Sequence, residues 1–165
     1  EFLRIIEENK RRIYRLCKVY ASNTYPSEDL FQEVVYQIWR SKNSFKGNSK
    51  IETWMYRIAL NVCYGSVLDH KKKAKPFVKL DSIKVYDVKH EENRDDDRVV
   101  ALQNCIKQLD KPDRSIILLY LEEMKYKEIS EIIGISENYV AVKMKRIKKK
   151  LLACLNPKTN QDEGR

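Results

Sequence analysis

The residues of this chain best placed to do chemistry are the cations of its C-terminal third. Lysine and arginine recur there on one side of a helical pattern, and ammonium and guanidinium groups at that density suit a polyanion such as DNA. The residues predicted to contact DNA are those opposite the apolar side of this helix, or close beside it: Asn138, Ala141, Val142, Lys143, Lys145, Arg146 and Lys149.

Two short helices joined by a tight turn are expected to position these cations. Gly134 can end the first helix, because glycine accepts the left-handed conformation of a C-cap. Ser136 can cap the second helix through its hydroxyl. Apolar residues at helical spacing predict a buried face on each helix: Ile129, Ile132 and Ile133 on the first, and Val140, Met144, Ile147 and Leu151 on the second. This pattern is typical of a helix-turn-helix, whose second helix fits the major groove.

A charged helical hairpin is also compatible with simple solvation, and two features favour DNA instead. The outer face is almost entirely positive, whereas a solvated helix usually alternates its charges. The chain as a whole carries a formal net charge of +9 and a sequence pI of about 9.3, which suits a polyanionic partner. On these grounds we expect duplex DNA to be the ligand.

The remaining reactive residue types show no catalytic or metal-binding spacing. Cys17, Cys63, Cys105 and Cys154 are far apart, and no histidine lies near them in the sequence. We therefore expect the cysteines to fill cores as free thiols, with a thiol sensor as the alternative. No cofactor, metal, small-molecule substrate or enzymatic activity is expected; a carboxylate-metal nuclease is disfavoured because no acidic cluster has metal-ligand spacing outside a linker.

Long helical patterns and only 4 glycines and 4 prolines predict an all-α protein of two small helical domains. Residues 1–74 form the first domain, 75–97 an acidic flexible linker, 98–155 the second domain and 156–165 a disordered tail. No run of 18 apolar residues predicts membrane insertion. The absence of a charged-then-apolar leader predicts a cytoplasmic protein.

Two blocks, in this order, resemble the extracytoplasmic-function (ECF) sigma factors of bacteria. The first block comprises EDLFQEV at 28–34, IWR at 38–40, SFKG at 44–47 and TWMYRIALN at 53–61; the second is 126–150. The resemblance covers most of the chain outside the linker and tail. It implies a promoter-specificity subunit whose region 2 docks on the β′ coiled coil of core RNA polymerase and whose region 4 docks on the β flap.

The resemblance assigns the polymerase contact of region 2 to the second helix. Its predicted residues are Asp29, Phe31, Gln32, Glu33 and Trp39, with carboxylates pairing to partner arginines and the aromatic rings as anchors. The local alternative is that acidic residues merely favour the first turn of a helix. The family pattern around these residues favours the polymerase contact.

The resemblance likewise assigns recognition and melting of the minus-ten element. The predicted residues are Phe45, Lys46, Asn61, Lys71, Lys72 and Lys73. Phe45 is expected beside an extruded base, Asn61 at a base edge and the lysines on phosphates. A loop anchor at Phe45 and simple solvation of Asn61 are the structural alternatives.

Region 4 departs from the family at Ala141 and Val142, where a basic and a hydroxyl residue are usual. We expect an altered minus-thirty-five element, read partly through contacts with thymine methyl groups. The resemblance also implies an anti-sigma factor as a partner. The alternative function is an autonomous helix-turn-helix regulator that binds duplex DNA without polymerase.

Overall fold

The computed structural model describes residues 2–68 and 96–157, and within these ranges it contains seven α-helices, one 3-10 turn and no strand. The all-α prediction is confirmed. The chain divides between residues 93 and 94 into two compact units, and three of the described helices lie in unit 1 and four in unit 2. The elements are α1 (Phe2–Tyr20), α2 (Ser27–Arg40), the 3-10 turn (Lys42–Ser44), α3 (Ile51–Leu68), α4 (Asp97–Lys107), α5 (Lys111–Leu121), α6 (Tyr126–Ile133) and α7 (Glu137–Leu155).

The three described helices of unit 1 form a bundle in which each packs against the other two. Apolar residues at spacings of three and four give α1 and α2 one buried face each. The fully buried side chains include Ile6 and Ile13 from α1, Leu30 and Ile38 from α2, and Tyr56 from α3. This core leaves the outer face of α2, the turn after it and the exposed side of α3 available to partners.

Cys17 and Cys63 behave as the sequence predicts. Both are free thiols buried in the core of unit 1, and they share a side-chain hydrogen bond. Burial raises the pKa of Cys17 well above its usual value. A thiol held protonated in this way is a poor nucleophile, so this pair fills the core.

Unit 2 is arranged around α7, which packs against α4, α5 and α6. The predicted caps of the helix-turn-helix are confirmed. Gly134 has φ +83° at the end of α6, and the hydroxyl of Ser136 accepts a hydrogen bond from the backbone N–H of Tyr139 at 3.1 Å. Asp110 caps α5 in the same way, accepting from the backbone N–H of Asp113 at 2.9 Å. These caps fix where α7 begins, and therefore which of its residues face outward.

The expectation that all four cysteines are free is wrong for one pair. Cys105 of α4 and Cys154 of α7 form a disulfide, with their Cα atoms 5.9 Å apart and a sequence separation of 49. Their spacing in the sequence carried no signal, because the packing of α4 on the end of α7 is what brings the two sulfur atoms together. The bond closes a loop that contains the whole helix-turn-helix, which restricts the unfolded state of unit 2.

The predicted linker is described only at its end. Residues 75–95, including the acidic residues up to Asp95, lie outside the described residues, as do 158–165 of the predicted tail. The first described helix of unit 2 begins at the end of the predicted linker. Asp96 caps α4 by accepting a hydrogen bond from the backbone N–H of Arg98 at 3.4 Å, and the helix starts at Asp97. Of the helices in the described ranges, none is long and apolar enough to cross a membrane.

Candidate nucleic-acid and protein interfaces

The two faces of α7 are separated as the helical period predicts. Val140, Met144 and Ile147 are at most 1% exposed, and Leu151 is buried as well. The opposite side of the helix is exposed and is called here the outer face of α7: Asn138, Tyr139, Ala141, Val142, Lys145, Arg146 and Lys149. A helix that buries one stripe and exposes cations on the other can enter the major groove without disturbing its own core.

The six cations of α7 from Lys143 to Lys150 fall into three groups. Lys145, Arg146 and Lys149 are exposed and have no side-chain partner within residues 96–157. Lys148 extends toward Tyr120, with its Nζ 3.3 Å from the phenol oxygen and 4.6 Å from the ring centroid. The two remaining cations, Lys143 and Lys150, bind a carboxylate inside unit 2. Predicted DNA contacts therefore lie on the outer face except for Lys143.

Asp113 is the carboxylate that binds both lysines. Its Oδ1 lies 2.8 Å from Lys143 Nζ and its Oδ2 lies 2.8 Å from Lys150 Nζ, while its own side chain is 2% exposed. Burial raises the pKa of Asp113, but the hydrogen bonds and charges of the two lysines outweigh burial, and the net pKa lies below its usual value. The hydrogen bond to Asp113 raises the pKa of Lys143. Asp113 and Lys143 are therefore both charged at neutral pH.

Tyr139 is an outer-face residue that the sequence reading missed. Its side chain is exposed, at 45%, and Val142, one turn further along α7, is 48% exposed. Its neighbour Val140 belongs to the buried stripe, which hides the outward position of Tyr139 in the sequence. Tyr139 lies three residues before Val142 and seven before Arg146, so it shares their side of the helix. Together with Ala141, these residues give the outer face an apolar end and a cationic end.

The predicted minus-ten residues of unit 1 lie on and beside α3. The half-buried ring of Phe45 contacts Trp54, with centroids 5.3 Å apart. Asn61 is exposed on the same stripe of α3, seven residues after Trp54, which is about 10 Å along the helix axis. Lys46 is exposed next to Phe45, whereas Lys71, Lys72 and Lys73 lie outside the described residues. Phe45, through its contact with Trp54, and Asn61 thus lie along one side of α3, and Lys46 follows Phe45 in the chain.

The predicted polymerase residues of α2 separate into three places. Asp29 and Gln32 are exposed, and the half-buried Glu33 beside them accepts a hydrogen bond from Gln37 Nε2 at 2.8 Å. Phe31 is 1% exposed and packs edge-on against Tyr14. A side chain this deeply buried holds α2 in the bundle, and the predicted contact of Phe31 with the polymerase stays a prediction.

Trp39 lies away from the acidic end of α2. It is half-buried beside Phe2, with centroids 6.4 Å apart, and the Nζ of Lys42 lies 3.5 Å from its ring centroid. Phe2 also contacts Trp54, at 6.0 Å. Trp39 thus belongs to the aromatic group that includes Phe45, near the predicted minus-ten residues and at the opposite end of α2 from Asp29.

Within residues 2–68 and 96–157, no group of three or more histidine, cysteine or acidic residues could hold a metal ion.

Family models match both units. "Sigma-70 region 2" matches residues 5–73, and "Sigma-70, region 4" matches residues 100–151. The first match contains Asp29, Phe45 and Asn61, and the second contains Asp113 and every outer-face residue of α7.

Proteins similar along most of their length carry the same description. The ECF RNA polymerase sigma factor SigW of Bacillus subtilis (strain 168) is 32% identical over 160 residues, covering 88% of this chain and 83% of that protein. Among solved structures, the sigma factor RpoE in complex with the anti-sigma factor NepR, from Bartonella quintana, matches with a TM-score of 0.68 at 17% identity, over 94% of this chain and 96% of that one. CnrH in complex with the cytosolic domain of CnrY matches with the same TM-score at 16% identity, over 94% of this chain and 88% of that one. These two structures share the fold.

Proposed function

The chain belongs to the ECF family of RNA polymerase sigma factors, and from this premise we propose that it binds core RNA polymerase, reads a minus-thirty-five element with α7 and opens the minus-ten element with unit 1. The observation that carries the proposal is the separation of the faces of α7. The inner face is fully packed, while Lys145, Arg146 and Lys149 are exposed without side-chain partners in the described part of unit 2.

The outer face of α7 supports a particular kind of readout. Asn138 at its start can hydrogen-bond a base edge, and Lys145, Arg146 and Lys149 can bind guanine edges or phosphates. Between these polar residues lie Tyr139, Ala141 and Val142. Their side chains are apolar except for the tyrosine hydroxyl. Apolar side chains discriminate thymine by its methyl group, so we propose a minus-thirty-five element that contains thymine opposite this apolar end.

Unit 1 supports the melting role through the side of α3 that carries Asn61. Phe45 rests on Trp54 with part of its ring exposed, which gives an unstacked base a surface on which to lie. Asn61 offers both a donor and an acceptor to a base edge, and Lys46 offers a charge to the phosphate backbone. We propose the same backbone role for Lys71, Lys72 and Lys73.

For the polymerase contact, we propose the exposed acidic end of α2. Asp29, Gln32 and Glu33 lie on its outer side in a chain that is otherwise basic, so the two carboxylates form a local negative surface with which arginines of the β′ coiled coil can pair. Phe31, which is buried in the bundle, holds α2 in place beneath this surface. Unit 2 is proposed to bind the β flap, while the acidic linker 75–97 passes between the two contacts.

An anti-sigma factor is a further proposed partner, since the similar structure of RpoE is a complex with the anti-sigma factor NepR. Unit 2 exposes large apolar side chains on the two helices that the disulfide joins: Val99 and Val100 of α4, and Leu152 and Leu155 of α7. Exposed apolar groups of this size support a protein partner. Such regulation would operate in the cytoplasm, where the polymerase acts, and the chain itself is proposed to have no catalytic activity.

The proposed function is tested by run-off transcription from genomic DNA fragments with purified core polymerase. Transcripts that start at a few sites only when this protein is present would support it and would reveal the promoter sequence. If no transcripts were added and the protein alone bound duplex DNA tightly, typically ~10⁻⁸ M or better, the autonomous helix-turn-helix regulator would replace it. The match of residues 5–73 to region 2 favours the sigma factor.

Asn61→Ala is expected to reduce open-complex formation by roughly tenfold or more while leaving binding to core polymerase unchanged. The reason is that the amide contacts a base only once the base is unpaired, and a lost base-edge contact costs about 1–3 kcal/mol. Permanganate reactivity of the unpaired thymines measures opening. Asn104→Ala, the same change at an exposed position of α4, is the matched control. Equal loss of opening and of polymerase binding would contradict the assigned role.

A further inference from the structure

Asp113 controls how many cations α7 can present to DNA. We propose that Asp113 is a specificity-determining residue, because by binding Lys143 and Lys150 it withholds two positive charges from DNA phosphates. The proposal rests on the proposed function, since it takes α7 as the helix that binds DNA. Its consequence is that α7 meets the duplex with the cations of the outer face and Lys148, but without Lys143 and Lys150.

The geometry leaves little freedom for either lysine. Each oxygen of the Asp113 carboxylate holds one Nζ at 2.8 Å, so both lysines are bound at once. Lys143 and Lys150 are seven residues apart, which places them on the same side of α7, about 10 Å apart along its axis. The side chain of Lys143 is 20% exposed and that of Lys150 is 55% exposed. Lys143 is thus largely buried, whereas Lys150 is more exposed and extends from the surface to Asp113.

The cost of an unpaired buried carboxylate keeps these ion pairs formed. Asp113 is 2% exposed at its side chain, so releasing both lysines would leave a desolvated negative charge without compensation. Its position as the third residue of α5 adds a small stabilisation, because negative charge is favoured in the first turn of a helix. A lysine on the surface of α7 that lacks such a partner is free to move to a phosphate.

The two withheld lysines lie at the edge of the outer face. Around the helix, Lys143 and Lys150 are about 40–60° from Arg146, on the side toward Asp113. Side chains at the edge of a groove-binding helix meet phosphates, which hold the helix in place without reading sequence. Releasing them would add affinity for every sequence alike, and so would lower the preference for a promoter over other DNA. Asp113 therefore raises the preference for promoter DNA over other DNA, and it lowers the affinity for DNA of any sequence.

The test measures the salt dependence of binding between the full chain and a labelled duplex of non-promoter sequence. We compare the wild-type protein with Lys145→Met, Lys143→Met and Asp113→Asn, and check folding by thermal melting. Lys145→Met is expected to reduce the salt slope by about 1, since it removes one phosphate contact. Lys143→Met is expected to leave the slope unchanged. Asp113→Asn is expected to increase it by about 1–2 as the lysines are released.

A purely structural role for Asp113 predicts a different pattern. In that case Asp113→Asn would lower the melting temperature and leave the salt slope unchanged, which would overturn the proposal. Equal reductions of the salt slope by Lys143→Met and Lys145→Met would also overturn the proposal. If Asp113→Asn does not fold, this comparison decides by itself. Lys143→Met remains usable because it keeps the ion pair between Asp113 and Lys150. If Lys145→Met had no effect, the DNA-binding role of α7 would fail and the inference with it.

Discussion

Replacing Lys145 and Arg146 together by glutamine is expected to reduce promoter-dependent transcription by roughly 100-fold while leaving the thermal stability of unit 2 unchanged. Both side chains are exposed and have no side-chain partner within residues 96–157, so their removal costs the fold little. Each is proposed to make either a phosphate contact or a bidentate contact to guanine, and loss of one such contact costs about 1–3 kcal/mol. Run-off transcription and promoter binding at two salt concentrations measure the effect.

Lys107→Gln, compared with Lys145→Gln alone, provides the matched control for the loss of one positive charge. Lys107 is also an exposed lysine of unit 2, but it ends α4 close to Cys105, whose disulfide partner Cys154 lies at the far end of α7. Lys145 is nine residues from Cys154, or about 14 Å along the helix axis. We expect Lys107→Gln to leave promoter binding nearly unchanged. A similar loss in the control would show that net charge, and not the outer face of α7, determines binding.

Ile129→Asp is expected to unfold unit 2 and abolish minus-thirty-five recognition, while unit 1 stays folded. Ile129 is fully buried between the helices of the helix-turn-helix, and a carboxylate at that site would have no compensating partner. The expected loss exceeds about 4 kcal/mol, which is a large part of the stability of a small domain. The circular dichroism signal should fall by roughly half, since α4–α7 supply about as many helical residues as α1–α3.

Ile133→Asp tests whether the loss of stability depends on how deeply the substituted residue is buried or only on its place in the apolar pattern. The sequence reading treats Ile129 and Ile133 alike, but Ile133, the last residue of α6, is only half-buried. A carboxylate there keeps contact with water, so we expect unit 2 to remain folded with a lowered melting temperature. Complete unfolding by both substitutions would mean that the end of α6 is packed more tightly than the structure shows.

The local features of the fold followed from the sequence. The period of Val140, Met144, Ile147 and Leu151 identified the buried face of α7, and the caps at Gly134 and Ser136 identified its start. These predictions succeeded because helical period and capping depend on residues within one or two turns of each other. The ordered motifs of the two units also indicated the family, which the similarity to SigW supports.

The partners of individual side chains did not follow from the sequence. Lys143 was predicted to contact DNA, yet its Nζ binds Asp113, 30 residues away, on another helix. Phe31 and Gln32 are neighbours in the chain, but one is buried in unit 1 and the other is exposed. Cys105 and Cys154 gave no sign of pairing. In each case the outcome depends on how a helix is rotated and placed against its neighbours.

The sequence by itself therefore determined the helices, the buried stripe of α7 and the family. Only the tertiary structure decided which cations of that helix remain available to DNA, and it did so through a buried carboxylate supplied by α5. The physical reason is one of range. Periodicity and capping act between residues a few positions apart, whereas an ion pair or a disulfide forms between groups that only the packing of separate helices brings within reach.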